Sequence, residues 1–579
     1  MKYYNKIIIY NFFTSLFIEI ISKPIGNNTG AYLKTPNSSN LQYRNGNSLD
    51  EEEEFYGYYI SDLLKFAGYN TMRKKFTEVN FDKEEELNIS KIDKELGISD
   101  IIGFLTSTIK ENPSKENPYN IYESIWKNEN ENEINPKNYW ANYTYNVIKK
   151  YKDYIKIWAV WYKPDLTSRV NYTKNWISYP PNSSDLLNRN APIFYFIRML
   201  RITYEIAKKI DPDCWVSVST LSHYEFLDAL LRYTDNPNNG TISDEFPDYG
   251  GAYFDCVGFI HYPENKIIVP ETNQTYNKNG SDSLVQKIII KKKIFENITE
   301  KYGFGIKYPK KIFINEETGL GSDKSCNVIL GDEKMRINWI IKLSLSSLEY
   351  DIKQNHNRKL VDDNICGYGD YVKLILNDDD IGKYFKSSSK ARQILRKINL
   401  EKFAYDKRKT INLRNNLTKD IVGIVLKRQY PKEIEDEYDY NYIYSFWIFC
   451  EKEEIKEKTK YKLNLPFNPL IIDYLGKEQN ITNSSEINLT GTPIFLLGNI
   501  EHEENEENKE DEIVNINIKF ILFMISFFVI ILIIFGLSFL LCRKIRKKQN
   551  KIQNNVSDNE QYNEVEKLNQ MELLKNYTD

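Results

Sequence analysis

Three apolar runs in this chain end in side chains able to move protons or hold a polar ligand. Ile157-Trp-Ala-Val-Trp-Tyr-Lys-Pro-Asp165 closes on an ammonium and a carboxyl group, with the Tyr162 phenol beside them. Tyr253-Phe-Asp-Cys-Val-Gly-Phe-Ile-His-Tyr262 closes on an imidazole and a phenol, His261 and Tyr262. Lys311-Ile-Phe-Ile-Asn-Glu-Glu-Thr-Gly319 closes on two consecutive carboxylates, Glu316 and Glu317. Strand alternation would send Glu316 and Glu317 to opposite sides. No Cys/His spacing suggests a metal site, and no glycine-rich phosphate loop lies between a strand and a helix. Neither a cofactor nor a metal is expected.

The elements that must hold these residues alternate. Short apolar runs at 155–162, 214–220, 253–262 and 311–318 are separated by helical patterns at 139–154, 194–210, 225–233, 283–302 and 335–352. A shorter apolar run, Asp100-Ile-Ile-Gly-Phe-Leu-Thr106, precedes them. Strands of four to eight residues alternating with helices of ten or more predict βαβ units around a parallel sheet. Over this length the repetition predicts an α/β fold, a closed (β/α)₈ TIM barrel spanning 51–400, with an open doubly wound sheet as the alternative. In such a barrel chemistry gathers where the strands end. Residues 23–50 read as a polar, loop-like N-terminal segment. After about residue 400 the apolar runs become β-rich without long helices, which predicts an accessory β-sandwich over 401–500.

The ordered set of segments resembles the large clan of retaining glycoside hydrolases built on (β/α)₈ barrels, nearest to family 39-like members. The strand ending in Lys163-Pro-Asp165 is similar to an acid/base strand of the form W-E-V-W-N-E-P-D. The strand ending in Glu317-Thr-Gly319 is similar to a nucleophile strand ending T-E-T-G. The strand ending in His261-Tyr262 is similar to Y-F-D-V-V-G-x-H-x-Y. Tyr204 to Asp213 and Ile487 to Leu496 also resemble family segments, so the likeness spans most of residues 55–500.

That resemblance implies a retaining mechanism with two carboxyl groups about 5 to 5.5 Å apart. It puts Glu317 at the nucleophile position and Arg73 near it. It puts Lys163 where the acid/base glutamate would stand, and Tyr162 where an asparagine would donate to the sugar 2-hydroxyl. A lysine has no carboxyl proton to cycle. General acid–base help is worth about 10² to 10⁴ in rate, so the acid/base motif reads as degenerate unless a neighbour such as Asp165 replaces it. Trp158, Trp161, Trp176 and Tyr262 are candidate sugar-stacking surfaces, with core packing as the other reading for the tryptophans; His261 joins Trp161, Tyr162, Tyr262 and Arg73 as a candidate substrate-binding residue. The expected function is a glycoside-hydrolase-like domain that binds a glycan or a protein partner. The alternatives are an active retaining β-glycosidase cleaving O-glycosyl bonds, and a receptor or adhesin using the barrel as scaffold.

Composition and topology set the context. Across 579 residues, 41% hydrophobic and 14% aromatic content supports a large core, and a net charge of −3 excludes a strongly basic nucleic-acid binder. The apolar stretch Ile7 to Ile21 follows Lys2 and Lys6 and reads as a secretory signal peptide over 1–22, with an uncleaved anchor as the alternative. Phe520 to Leu541 is uncharged, and as a helix would span about 33 Å against a hydrocarbon core of about 30 Å. An acidic stem (501–519) precedes it and a basic cluster opens the tail (542–579), so the positive-inside rule leaves the barrel outside the cytoplasm, as in a type I single-pass membrane protein of the plasma membrane or endomembranes. Sequons such as Asn142-Tyr-Thr and Asn171-Tyr-Thr agree with a glycosylated lumenal part. Of the six cysteines, Cys214 and Cys256 read as buried thiols, Cys326, Cys366 and Cys450 as the material for one disulfide, and Cys542 as a candidate palmitoylation site at the membrane edge.

Overall fold

The computed structural model describes residues 44–48, 69–77, 98, 100–106, 119–128, 130–187, 191–262, 267–268, 275–276, 280–319, 333–357, 387–430, 438–452 and 458–500. The expected signal peptide, acidic stem, transmembrane segment Phe520 to Leu541 and tail lie outside these residues, as do Cys326, Cys366 and Cys542. Among the described residues no helix is long and apolar enough to cross a membrane.

Eight parallel strands close into a barrel: β1 (Arg44–Ser48), β2 (Thr71–Phe76), β3 (Ile101–Leu105), β4 (Ile155–Val160), β5 (Trp215–Ser217), β6 (Cys256–Ile260), β7 (Ile312–Thr318) and β8 (Ile352–Asn357). Neighbours in sequence are neighbours around the barrel, and β1 pairs with both β2 and β8 to seal it. The helices α1 (Tyr139–Tyr151), α2 (Ile193–Ile210), α3 (Tyr224–Arg232), α4 (Ser281–Lys301) and α5 (Glu333–Glu349) connect successive strands from β3 to β8, and α6 (Ser387–Lys397) follows β8. The closed ring replaces the alternative of an open sheet.

Side-chain parity explains the layers. Ile102, Phe104, Ile157, Ala159, Trp215, Cys256, Ile312 and Ile314 form the apolar filling of the barrel. Their sequence neighbours Ile101, Trp158, Val216, Val257 and Phe313 belong instead to the larger core between strands and helices, as period-two alternation requires. Trp158 is fully buried in that outer layer and presses on Gly103, where an added Cβ would lie 2.5 Å from its ring. Trp158 is therefore core.

One expectation needs correction, and one strand had no sign in the apolar pattern. The first strand comes from Arg44–Ser48, inside the segment expected to be loop-like, so the barrel begins before residue 51. β8, Ile-Lys-Gln-Asn-His-Asn, is likewise a strand with no apolar run to announce it. Its polar groups find partners within the fold: Gln354 donates to the Asp100 carbonyl at 2.9 Å, and Asn355 donates to Ser347 at 2.7 Å.

The accessory region is one six-stranded antiparallel sheet with a two-stranded ribbon. After β9 (Phe403–Tyr405), α7 (Lys407–Arg414), β10 (Ile421–Arg428) and β11 (Tyr442–Ile448) come the ribbon strand β12 (Thr459–Lys462), then β13 (Leu470–Ile472), β14 (Glu478–Asn480), the second ribbon strand β15 (Glu486–Leu489) and β16 (Ile494–Gly498). The large sheet runs β9-β10-β11-β16-β13-β14. Ile424, Leu426, Ile443 and Trp447 join the same apolar core as the barrel helices. The seam is tied at Asp282 on α4, which accepts from Lys342 at 2.6 Å, the Trp447 indole at 2.8 Å and the Cys450 backbone at 2.6 Å. Cys214 and Cys256 are buried free thiols, as expected, and Cys450 is buried at the seam.

Candidate active site

The mouth of the barrel is built where β4, β5, β6 and β7 end. Glu317 is its centre. Its carboxylate accepts from the Tyr162 hydroxyl (3.0 Å, on Oε2), from the Lys163 ammonium (3.5 Å, on Oε1), and from the Tyr262 hydroxyl, also on Oε1. Glu317 is almost fully buried, whereas Tyr162, Tyr262 and Lys163 are half-buried, the Lys163 side chain keeping 18% of its surface in solvent.

Three backbone features bring these side chains together. Trp161 and Lys163 both take left-handed conformations, φ +63° and +44°, so the chain turns twice within three residues after β4. The turn is held by Trp161 N–H on the Leu105 carbonyl at 2.9 Å and Lys163 N–H on the Thr220 hydroxyl at 3.2 Å. On β7, the register against β6 jumps from Phe259↔Asn315 to Ile260↔Glu317, skipping Glu316. Such a bulge re-aims a side chain where plain alternation would not.

Glu316 therefore does not turn away from the barrel, as alternation from Glu317 predicted. Parity from Ile312 and Ile314 puts it on the interior side, and the bulge brings Glu317 to the mouth as well. Glu316 accepts from Ser217 (2.8 Å), from the Ser219 hydroxyl (3.2 Å) and from the Thr220 backbone (3.2 Å). Arg73 lies against it, with Nη2 at 3.5 Å from Oε2 and Nη1 donating to the Glu316 carbonyl at 3.2 Å. The expected arginine beside an acid exists, but the acid it pairs with is Glu316. This second carboxylate site was missed in the sequence, although Ser217, Ser219 and Thr220 on an otherwise apolar run were the available sign.

The remaining expected residues fall elsewhere. Trp161 packs edge-on to Tyr119 and tilted against Trp140, ring centroids 6.1 Å from each, because its left-handed backbone swings the indole toward the outer core. Trp176 is buried against His223 and Phe226. His261 donates its backbone N–H to the Glu317 carbonyl at 3.3 Å, and its side chain is buried. Burial first, then the charges of Lys291 and Lys287, lowers its pKa to about 3 and keeps it neutral. Asp165 is fully buried, accepts the backbone N–H groups of Ser222 and His223 at 2.6 Å each, and has its pKa raised to about 6 by that burial. It positions the start of α3. Among the described residues, no group of His, Cys, Asp or Glu is placed to hold a metal ion.

No family model and no curated protein matches the chain. Solved structures similar to it include glycoside hydrolases. A family 39 glycoside hydrolase from the gut symbiont Bacteroides cellulosilyticus WH2 aligns over 80% of this chain and 82% of its own at 13% identity, TM-score 0.47. A glucosidase from Croceicoccus marinus aligns over 79% and 95% at 10% identity, TM-score 0.45. A family 30 endoxylanase from Clostridium papyrosolvens C71 aligns over 80% and 97% at 11% identity, TM-score 0.42. What the mouth can do follows from its own side chains.

Proposed function

We propose that this chain is a membrane-anchored ectodomain whose glycoside-hydrolase-like barrel binds a glycan without turning it over efficiently. The observation that carries this reading is the 3.5 Å approach of the Lys163 ammonium to the Glu317 carboxylate. Retaining hydrolysis needs a second carboxyl group about 5 to 5.5 Å from the nucleophile, to protonate the leaving oxygen. Here a group without a carboxyl proton stands beside the acid. Glu317 is further occupied by two phenol donors, which lowers its readiness to attack an anomeric carbon. Asp165, the neighbouring acid, is buried and committed to two backbone N–H groups.

What remains suits binding: a partly exposed ammonium, two phenols and a carboxylate, able to donate to and accept from sugar hydroxyls. Membrane anchoring rests on the uncharged Phe520 to Leu541 and its charge-asymmetric flanks. The test offers the protein activated aryl β-glycosides, whose leaving groups need little acid help, alongside a glycan array. Array binding without hydrolysis supports the reading. Turnover that disappears in Glu317→Gln overturns it in favour of a working glycosidase. A protein that binds no glycan and cleaves none leaves the barrel as a scaffold for a protein partner.

A further inference from the structure

The same four side chains that obstruct hydrolysis form a set suited to a different reaction. A lysine amine becomes a carbonyl nucleophile when a nearby base takes its proton and a hydroxyl can protonate the oxygen it displaces. Lys163 has both neighbours. Its Nζ and the Tyr262 hydroxyl converge on one atom, Oε1 of Glu317, so a proton can pass from nitrogen to carboxylate to phenol without any side chain moving far. Tyr162 holds the other carboxylate oxygen, and its ring lies under the ammonium at 4.7 Å.

The backbone supports a dedicated purpose for this lysine. Left-handed conformations at non-glycine residues are strained and persist where the surroundings enforce them. Two flank the approach, at Trp161 and at Lys163 itself, each fixed by a hydrogen bond from its own N–H. An ordinary surface lysine needs no such support.

We propose that Lys163 captures aldehydes covalently as an iminium, with small hydroxyaldehydes and the open-chain forms of reducing sugars as the substrate class. Glu317 takes one proton from the Lys163 ammonium, and the freed nitrogen lone pair attacks the carbonyl carbon. The carbonyl oxygen receives a proton through Tyr262 and becomes a hydroxyl. A second nitrogen proton then moves by the same route, the C–OH bond breaks, and the nitrogen lone pair forms C=N. Ammonium plus carbonyl gives iminium plus one water, with Glu317 and Tyr262 returned to their starting states and no oxidant or reductant consumed. The hydroxyl groups of the substrate would lie among the phenols.

This inference stands apart from the glycan-binding reading, because it requires only the Lys163, Glu317 and Tyr262 contacts. The full-length chain is incubated with glycolaldehyde and sodium cyanoborohydride, which reduces an iminium to a stable secondary amine, and adducts are mapped by peptide mass spectrometry. Lys163 should label roughly tenfold faster than Lys460: Lys460 also lies beside a carboxylate, Glu486 at 2.9 Å, and is 74% exposed against 18%, but at Lys163 the Tyr262 phenol shares the carboxylate oxygen and can protonate the departing oxygen. Glu317→Gln and Tyr262→Phe should each bring Lys163 down to the Lys460 rate while leaving Lys460 unchanged. Either variant serves the comparison if the other does not fold. Lys163 labelling no faster than Lys460 in the parent, or equally fast in the folded variants, overturns the proposal. Loss of glycan-array binding with Lys163 labelling intact would count against the function proposed above and not against this chemistry.

Discussion

Glu316 and Glu317 share a peptide bond, but their carboxylates take different side-chain donors. Glu316 is enclosed by Arg73 and by the Ser217, Ser219 and Thr220 donors, while Glu317 is held by Tyr162, Lys163 and Tyr262. The first is a buried ion pair further held by hydroxyl and backbone donors. The second faces a partly exposed amine.

The two acids should therefore separate on mutation. Glu316→Ala leaves Arg73, itself only 4% exposed, without its counter-charge, and removing one partner of a buried pair costs about 3 to 5 kcal/mol. Glu317→Gln keeps the side-chain volume and an acceptor for the tyrosines, so it should cost about 1 kcal/mol. Urea titration of both variants reads the difference. Equal losses would mean that the division between a structural and a reactive carboxylate is wrong.

Gly258 on β6 gives an independent check of where Glu316 lies. A Cβ built there would stand 2.0 Å from Glu316 Oε1 and 2.5 Å from its Cδ. Gly258→Ala must displace a carboxylate that other groups hold in place, and overpacking of this kind costs about 1 to 3 kcal/mol. A substitution tolerated with no change in the urea midpoint would show that Glu316 points elsewhere.

Much of the barrel was legible and part of it was not, for one physical reason. β3 to β7 are covered on both faces, so they read as short apolar runs. β1, β2 and β8 carry Arg-Asn-Gly-Asn-Ser, Thr-Met-Arg-Lys-Lys-Phe and Ile-Lys-Gln-Asn-His-Asn, and apolar pattern alone cannot find them. β8 instead places Gln354, Asn355 and His356 in buried polar contacts, among them His356 with Gln354 at 2.8 Å. At the mouth, sequence order singled out Lys163, Tyr162, Tyr262 and Glu317 as candidates. The bulge on β7 and the left-handed residues after β4 are not written in residue type, so strand alternation cannot place Glu316 or aim the Trp161 indole.

Asp282 should control how the β-domain is held. It is the shared acceptor for Lys342, the Trp447 indole and the Cys450 backbone, linking α4, α5 and the end of β11. Asp282→Ala strands the Lys342 ammonium, which is 1% exposed, and should destabilise the seam by about 3 to 5 kcal/mol. Limited proteolysis should then release fragments cut near residues 400–420 before the barrel is attacked. Unchanged proteolysis would mean that apolar contact around Trp447 holds the seam unaided.

Acid should weaken the fold well above the pH at which ordinary carboxylates titrate. Burial and the charge of Lys291 lower the His223 pKa to about 4, and burial with Lys291 and Lys287 lowers that of His261 to about 3. Between the ordinary histidine value near 6.5 and these lowered values, the unfolded chain holds protons that the folded chain does not. Stability therefore falls as pH drops through that window. Asp165 acts the other way. With its pKa raised to about 6, the folded chain binds a proton that the unfolded chain lacks, which stabilises the fold as pH falls from about 6 toward the ordinary aspartate value. Two imidazoles outweigh one carboxyl, so the net slope is toward lower stability in acid. Thermal melts from pH 4 to 7.5 should show it. His261→Gln should flatten the slope and Asp165→Asn should steepen it. The same slope in parent and His261→Gln would mean that the imidazole is not shielded by burial.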